Sequence, residues 1–204
     1  MHLFILGATG GIGRHLLASA LQRGHHVTAY VRSPQKVNLT HQRLTTIQGD
    51  LFDPAQLAAA LPGHDVILSA FGPTRMRATT MRRDFGHALA TAARQAAVPR
   101  IQLVSAAFLF PDIGFLGRIL KATLFRQMIP DMAAMEDEIR QPDLTWTIIR
   151  PPRLTNGPVT DAYRIMDGDL PHGGFYISRA DVASFMIHEA ENPTHPQKIV
   201  GLAD

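Results

Sequence analysis

Leu3-Phe4-Ile5-Leu6 runs directly into Gly7-Ala8-Thr9-Gly10-Gly11-Ile12-Gly13, and an apolar pattern with helical spacing follows from Leu16 to Leu21. The order is strand, glycine turn, helix. Phosphate binds where backbone N–H groups converge on it and a helix N-terminus adds partial positive charge. In such a unit Gly7 lets the chain turn, Gly10 lets backbone approach a pyrophosphate, and Gly13 lets the helix pack against the strand. The Gly7-x-x-Gly10-x-x-Gly13 spacing differs from the G-x-G-x-x-G of simple dehydrogenases. Glycines also close ordinary turns, but a strand before and a helix after are the context that a dinucleotide site requires. Gly7, Thr9, Gly10, Gly11, Ile12 and Gly13 are therefore the candidate pyrophosphate residues.

Charge refines the reading. Residues 1–49 hold five Arg or Lys and no Asp or Glu. Enzymes that bind NAD place an acid after the second strand, on the ribose hydroxyls. Here that strand, His26-Val27-Thr28-Ala29-Tyr30-Val31, ends in Arg32-Ser33-Pro34 with Lys36 close behind. An acid would repel a 2′-phosphate, whereas a guanidinium holds one bidentately. Arg14 and Arg32 are the candidates for it, and the cofactor read from the sequence is NADP(H).

Working outward, strands are predicted at 2–6, 26–31, 44–48, 65–70, 100–105 and 144–150, and helices at 11–23, 54–61, 79–97, 131–140 and 179–191. Asp53-Pro54-x-Gln56 carries an N-cap, a Pro at the first helical position and a Gln that reaches back. Ser178-x-x-Asp181 caps the last helix in the same manner. Strands alternating with helices predict an α/β fold, a doubly wound parallel sheet of Rossmann type. The whole of 1–204 reads as a single domain with a small C-terminal extension, and the Pro- and Gly-rich stretch 150–178 as a substrate-side loop region.

The 204 residues carry a formal net charge of +3 and include no cysteine, which excludes disulfides, thiolate metal sites and a Cys nucleophile. The first strand begins by residue 2 or 3, so no signal or transit peptide is expected, and the chain reads as cytoplasmic. The apolar segment 108–130 is interrupted by Asp112, Arg118, Lys121 and Arg126 and is no membrane span; Phe108 to Met128 within it reads as an interface or a lid. Positive charge also gathers at Arg75, Arg77, Arg82 and Arg83, without any nucleic-acid-binding motif. The ten His include the adjacent pair His25-His26 but no metal-ligand spacing. No G-x-S-x-G elbow points to a hydrolase. The expectation is a small-molecule partner, with no metal, nucleic acid or membrane. Oligomeric state stays open.

Gly7 to Arg14, Gly49-Asp50-Leu51, Val104-Ser105-Ala106-Ala107, Thr147-Ile148-Ile149-Arg150-Pro151-Pro152-Arg153-Leu154-Thr155 and Ser178-Arg179-Ala180-Asp181-Val182-Ala183 together resemble the atypical short-chain dehydrogenase/reductases. Within them the chain is most similar to the NAD(P)H-binding, NmrA-like proteins and the biliverdin-IXβ/flavin reductases. The resemblance implies that Asp50 and Leu51 contact adenine and that Ala70, Phe71 and Gly72 pass beside the cofactor. It implies too that Ser105, Pro151 and Pro152 lie near the nicotinamide.

The departures are informative. The superfamily's usual Tyr-x-x-x-Lys is missing, since none of Tyr30, Tyr163 and Tyr176 has a Lys four residues later. The helix where the motif belongs offers Glu136 near the place of the Lys. Flavin reductases of this type also lack that dyad and draw protons from solvent. Their His after the Pro-Pro pair is here Arg153, which cannot donate a proton at pH 7 but can hold an anionic acceptor. Tyr163 keeps the family spacing from Pro152. Ser105, Arg153 and Tyr163 are thus the candidate substrate-positioning residues. Two functions follow as expectations: an NADPH-dependent reductase of a flavin, quinone or similar conjugated acceptor, or a non-catalytic NADP(H)-sensing regulator.

Overall fold

The computed structural model describes residues 1–72, 80–98, 100–111, 114–123 and 125–204. Arg75, Arg77, Thr79 and Asp112, which entered the sequence reading, lie outside them. The elements are β1 (His2–Leu6), α1 (Gly11–Gln22), β2 (His26–Val31), β3 (Leu44–Gln48), α2 (Pro54–Ala60), β4 (Val66–Ser69), α3 (Met81–Gln95), β5 (Arg100–Val104), α4 (Gly114–Ala122), α5 (Ile129–Ile139), β6 (Thr145–Arg150), β7 (Arg153–Thr155), β8 (Arg164–Asp167), β9 (Tyr176–Ser178), α6 (Arg179–Glu191) and β10 (Lys198–Ala203).

The main sheet runs β3-β2-β1-β4-β5-β6-β10-β8. Every neighbouring pair is parallel except β10 with β8. Parallel strands covered on both faces read as continuous apolar runs, and β1 and β4 do so, with Leu3, Phe4, Ile5, Leu6, Val66, Ile67 and Leu68 fully buried. On one face α1 and α6 form a core through Ile12, Leu16, Leu17, Val182, Phe185 and Met186. On the other, α2, α3 and α5 do so through Leu57, Phe85, Leu89, Met135 and Ile139. The order reverses at β1/β4: β1 leads outward to β2 and β3, while β4 leads to β5 and β6. That switch point opens a crevice at the carboxyl ends of the strands, where ligands of such sheets bind.

The caps form as their residue types require. Asp53 Oδ1 accepts from Ala55 N (2.9 Å) and Gln56 N (3.1 Å), and Gln56 Nε2 reaches back to Asp53 Oδ2 at 2.7 Å. Ser178 Oγ accepts from Asp181 N at 2.8 Å. The α3 start is served from a distance: Asp131 of α5 accepts from Arg82 N (3.1 Å) and Arg83 N (3.0 Å).

The C-terminal third is more ordered than its composition suggests. β10 is a full member of the main sheet, not an appendage. Inside the 150–178 stretch, β7 pairs with β9 as a separate two-stranded sheet, and β8 pairs with β10. These strands escape sequence reading because β7 and β9 span three residues each and all four residues of β8 are exposed, so no period appears. Within the 108–130 segment, Gly114–Ala122 forms α4.

Candidate functional site

The glycine turn sits at the carboxyl end of β1, and its glycines do different work. Gly7 has φ +77°, and a Cβ there would lie 2.7 Å from Ala70 O and 2.9 Å from Phe71 N. The turn and the chain leaving β4 therefore touch backbone to backbone. A Cβ on Gly13 would drive into Gly7 O, so α1 packs directly on the turn. Gly7 O accepts from Gly10 N at 2.9 Å, which closes the loop. Gly10 itself has φ −78°, a conformation open to any residue. A Cβ there meets only Gly7 O, at 3.2 Å, so what Gly10 leaves free is space beside the first N–H groups of α1. The first turn of α1 contains no acid, and its positive end is unopposed.

At the end of β2, Arg32 is exposed and is followed by a single 3-10 turn, Pro34–Lys36. Arg14 Nε donates to Thr9 O at 3.1 Å, which lays its side chain back across the glycine turn. Asp50 is held in a local turn: its Oδ1 accepts from Phe52 N at 3.0 Å, and its carbonyl accepts from the Tyr30 hydroxyl at 3.3 Å. Gly49 precedes it because the Tyr30 ring occupies the place of a Cβ. Leu51 and Phe71 both pack on the core beneath α2, α3 and α5. Phe71 lies between Phe85 (4.5 Å) and the exposed Phe52 (6.0 Å, edge-on), so an aromatic wall that the sequence reading did not single out stands next to Asp50.

Beyond β5 and β6 the two chains stay bonded, Ser105 N to Ile149 O at 2.7 Å and Ala107 N to Pro151 O at 3.0 Å. Ser105 therefore lies beside β6, which leads into Pro151-Pro152. Its hydroxyl oxygen is buried without a hydrogen-bond partner among the described residues, as is that of Ser69 at the end of β4. A buried unpaired hydroxyl costs about 1–3 kcal/mol. The glycine cradle and this orphaned hydroxyl fit the phosphate and carboxamide ends of a nicotinamide dinucleotide.

The place of the missing Tyr-Lys pair is filled by a buried ion pair. Arg150 Nε donates to Glu136 Oε1 at 3.0 Å and Arg150 Nη2 to Oε2 at 2.5 Å, with the guanidinium 4.9 Å from the centre of the Phe110 ring. Both Glu136 oxygens are thus committed to a cation on β6. Asp131, one turn earlier, is committed to the α3 N-terminus and to Arg82.

Arg153 begins β7, its N–H bonded to Phe175 O and its side chain exposed. Tyr163 packs against the core that α1 and α6 share. It stands edge-on to Phe185 of α6, beside a cavity of about 290 Å³ lined by Phe185, His188, Glu189 and His195. Burial, reinforced by Asp161 and Asp181, pushes its phenol up to about 12, so it is neutral at pH 7. The family spacing from Pro152 did not reveal that the chain between them is tethered to Asp181, which accepts from Thr160 N (2.7 Å) and Asp161 N (2.9 Å) and draws Tyr163 along α6. The residue that sequence reasoning left unused is Arg179: its side chain crosses Gly11, where a Cβ would lie 2.7 Å from Arg179 Nε. The Ser178-Arg179-Ala180-Asp181 stretch reads as a cap and as part of the family resemblance, neither of which gives Arg179 itself a role.

Among the described residues there is no cluster of His, Cys, Asp and Glu able to hold a metal, and no helix long and apolar enough to cross a membrane. Comparison with known proteins agrees with the geometry. The chain is similar to the uncharacterized protein YwnB of Bacillus subtilis, 29% identical over 206 residues, which covers 96% of this chain and 94% of YwnB. A Streptococcus pneumoniae protein named as a candidate NADH-flavin reductase shares the fold with a TM-score of 0.81 at 24% identity, covering 100% of this chain and 99% of that one. A Veillonella parvula short-chain dehydrogenase/reductase in complex with NADP does so with a TM-score of 0.82 at 21% identity, covering 100% and 94%. A family model described as NAD(P)H-binding matches residues 7–193, from the first glycine of the turn to just beyond α6. With its glycine cradle at the switch point of a Rossmann sheet, the chain belongs to the NAD(P)H-binding family.

Proposed function

We propose that the protein is an NADPH-dependent reductase of a flavin, quinone or similar flat conjugated acceptor. The observation that carries the reading is the buried Arg150–Glu136 pair. It lies on the helix that would otherwise supply a Tyr-Lys proton relay, and it commits both carboxylate oxygens of Glu136, near the place of the Lys, to Arg150. An acceptor that takes a hydride into a conjugated ring, and its proton from water, needs no such relay. A ketone or aldehyde does, because charge develops on its oxygen.

The bound dinucleotide supplies the hydride. The chain's own residues bind and orient it. Gly10 and the N-terminus of α1 receive the pyrophosphate, while Arg14 and Arg32, with no acid before Asp50, favour a 2′-phosphate. Asp50, Leu51, Phe52 and Phe71 border the adenine side. Ala70, Gly72, Pro151 and Pro152 wall the nicotinamide side, and Ser105 gains a partner for its orphaned hydroxyl. Arg153, exposed at the start of β7, attracts an anionic acceptor. Such positioning alone can lower a barrier by several kcal/mol. The absence of cysteine suits a reducing cytoplasm, and the same proposal places the protein there.

The test follows NADPH oxidation at 340 nm with FMN, FAD, riboflavin, quinones and aldehydes. Turnover with flavins or quinones and none with aldehydes is expected. Aldehyde reduction faster than flavin reduction overturns the reading. Tight NADPH binding with no oxidation by any acceptor replaces it with the sensor function.

A further inference from the structure

We infer that Arg179 is a second cation on the cofactor's pyrophosphate and that it ties the acceptor-side loop to the bound dinucleotide; the inference rests on the nucleotide-binding reading above. Arg179 is the first residue of α6. Its side chain lies across the glycine turn: a Cβ at Gly11 would sit 2.7 Å from both its Cδ and its Nε, so glycine there lets the side chain lie directly on the turn. From there Nη1 donates to Leu154 O at 3.3 Å, Thr155 O at 3.0 Å and Asn156 Oδ1 at 2.7 Å. One guanidinium thus joins the glycine turn, the start of α6 and the chain that follows Pro151-Pro152-Arg153.

The arrangement is electrostatically one-sided. All three acceptors are neutral oxygens on the same nitrogen, and Arg179 enters none of the ion pairs among the described residues. Arg14 shares the turn, bonded to Thr9 O. The first turn of α1 adds positive potential with no acid against it. The nearest acid on α6, Asp181, spends its carboxylate on Thr160, Asp161 and Ser178. An Arg at the N-terminus of its own helix also lies at the wrong end of the dipole for a cation. Two guanidiniums and a helix N-terminus around one glycine turn repel one another until an anion sits among them. A pyrophosphate beside Gly10 and Gly11 supplies that anion and can accept from the donors, Nε and Nη2, that the protein leaves free. Because Nη1 keeps hold of residues 154–156, cofactor binding draws the β7 chain, and Arg153 with it, toward the dinucleotide.

The experiment titrates NADPH and adenosine 2′-phosphate, which lacks the pyrophosphate, into wild type, R179K, R179Q and R179A, with thermal unfolding of each unliganded protein measured alongside. The expected result is at least about tenfold weaker NADPH binding in R179Q and R179A, most of it restored in R179K, and unchanged adenosine 2′-phosphate binding in all four. Wild-type NADPH affinity in R179Q overturns the inference alone. Parallel weakening of both ligands in R179Q and R179K, with a lowered Tm, also overturns it and leaves Arg179 a structural strut. A wild type that binds neither ligand overturns the nucleotide-binding reading itself.

Discussion

Removing the Glu136 carboxylate is the sharpest probe of the claim that no side chain acts as a proton donor. Glu136 is 1% exposed and Arg150 9%, and two hydrogen bonds of 2.5 and 3.0 Å join them. Truncation to Ala leaves a guanidinium buried without a counter-charge, a loss of about 3–5 kcal/mol. Unfolding entropy near 2.1 cal/mol/K per residue gives roughly 0.43 kcal/mol/K for a chain of this size, so Tm should fall by about 7–12 °C. The stack of Arg150 on Phe110 survives the change and holds the loss toward the lower end. The double variant Glu136→Gln with Arg150→Met removes both charges at nearly constant volume and should recover most of the stability. Differential scanning calorimetry reads the first effect and NADPH oxidation at 20 °C the second. Glu136→Gln should keep kcat within about tenfold, because the carboxylate serves structure and not proton transfer. A thousandfold fall in kcat with Tm and cofactor affinity unchanged would refute the reasoning and make Glu136 an acid of the reaction.

Other outcomes follow from the same geometry. Arg32→Ala should weaken NADPH far more than NADH, by about 1.5–3 kcal/mol in the difference, read by fluorescence titration; equal wild-type affinities for the two cofactors would contradict the assignment of the 2′-phosphate. Gly10→Val, at φ −78°, should fold normally by circular dichroism yet lose cofactor binding, since its side chain enters the space beside α1. Ser105→Ala should slow turnover only modestly, whereas a thousandfold loss of kcat would indicate acid catalysis at that hydroxyl. Glu191 is held below its ordinary value by the Arg23 hydrogen bond, and Asp181 lies below its own because bonds from Thr160, Asp161 and Ser178 outweigh burial. A depressed carboxylate stabilises the fold above its unfolded pKa of about 4 and loses that contribution as pH falls through the folded value. Tm should therefore drop below about pH 4, and the slope should flatten in Asp181→Asn.

The glycine turn, the first six strands and five helices were legible because each is a period with punctuation. Leu3 to Leu6 is a buried run, Asp53 and Ser178 are caps, and Gly7 and Gly13 answer to backbone contacts that no side chain permits. What stayed hidden depends on long-range tethering. Nothing local in Arg164-Ile165-Met166-Asp167 announces a strand, because β8 exists only through its pairing with β10. The place of Tyr163 is decided eighteen residues later by Asp181. Glu136 was noticed by position, but its commitment to Arg150 is a property of how α5 lies on β6. Arg179 sits in a stretch legible as a cap and as a family motif, but its contact, Gly11, is distant in sequence.

The seat of β10 between β6 and β8 governs the order in which the molecule assembles. Residues 198–203 complete the sheet on one side as a parallel neighbour of β6 and on the other as, among the described residues, the sole main-sheet partner of β8. Until they dock, β6 is an open edge with Ile148 and Ile149 behind it, and the stretch carrying Thr160 to Asp167 has no sheet to join. Folding of the acceptor side therefore waits on non-local pairings, Lys198 with Thr147 and Val200 with Asp167, which form more slowly than local contacts. A nascent or truncated form lacking residues 198–204 would carry a formed glycine turn beside an exposed strand edge, an intermediate prone to pair with another copy of itself.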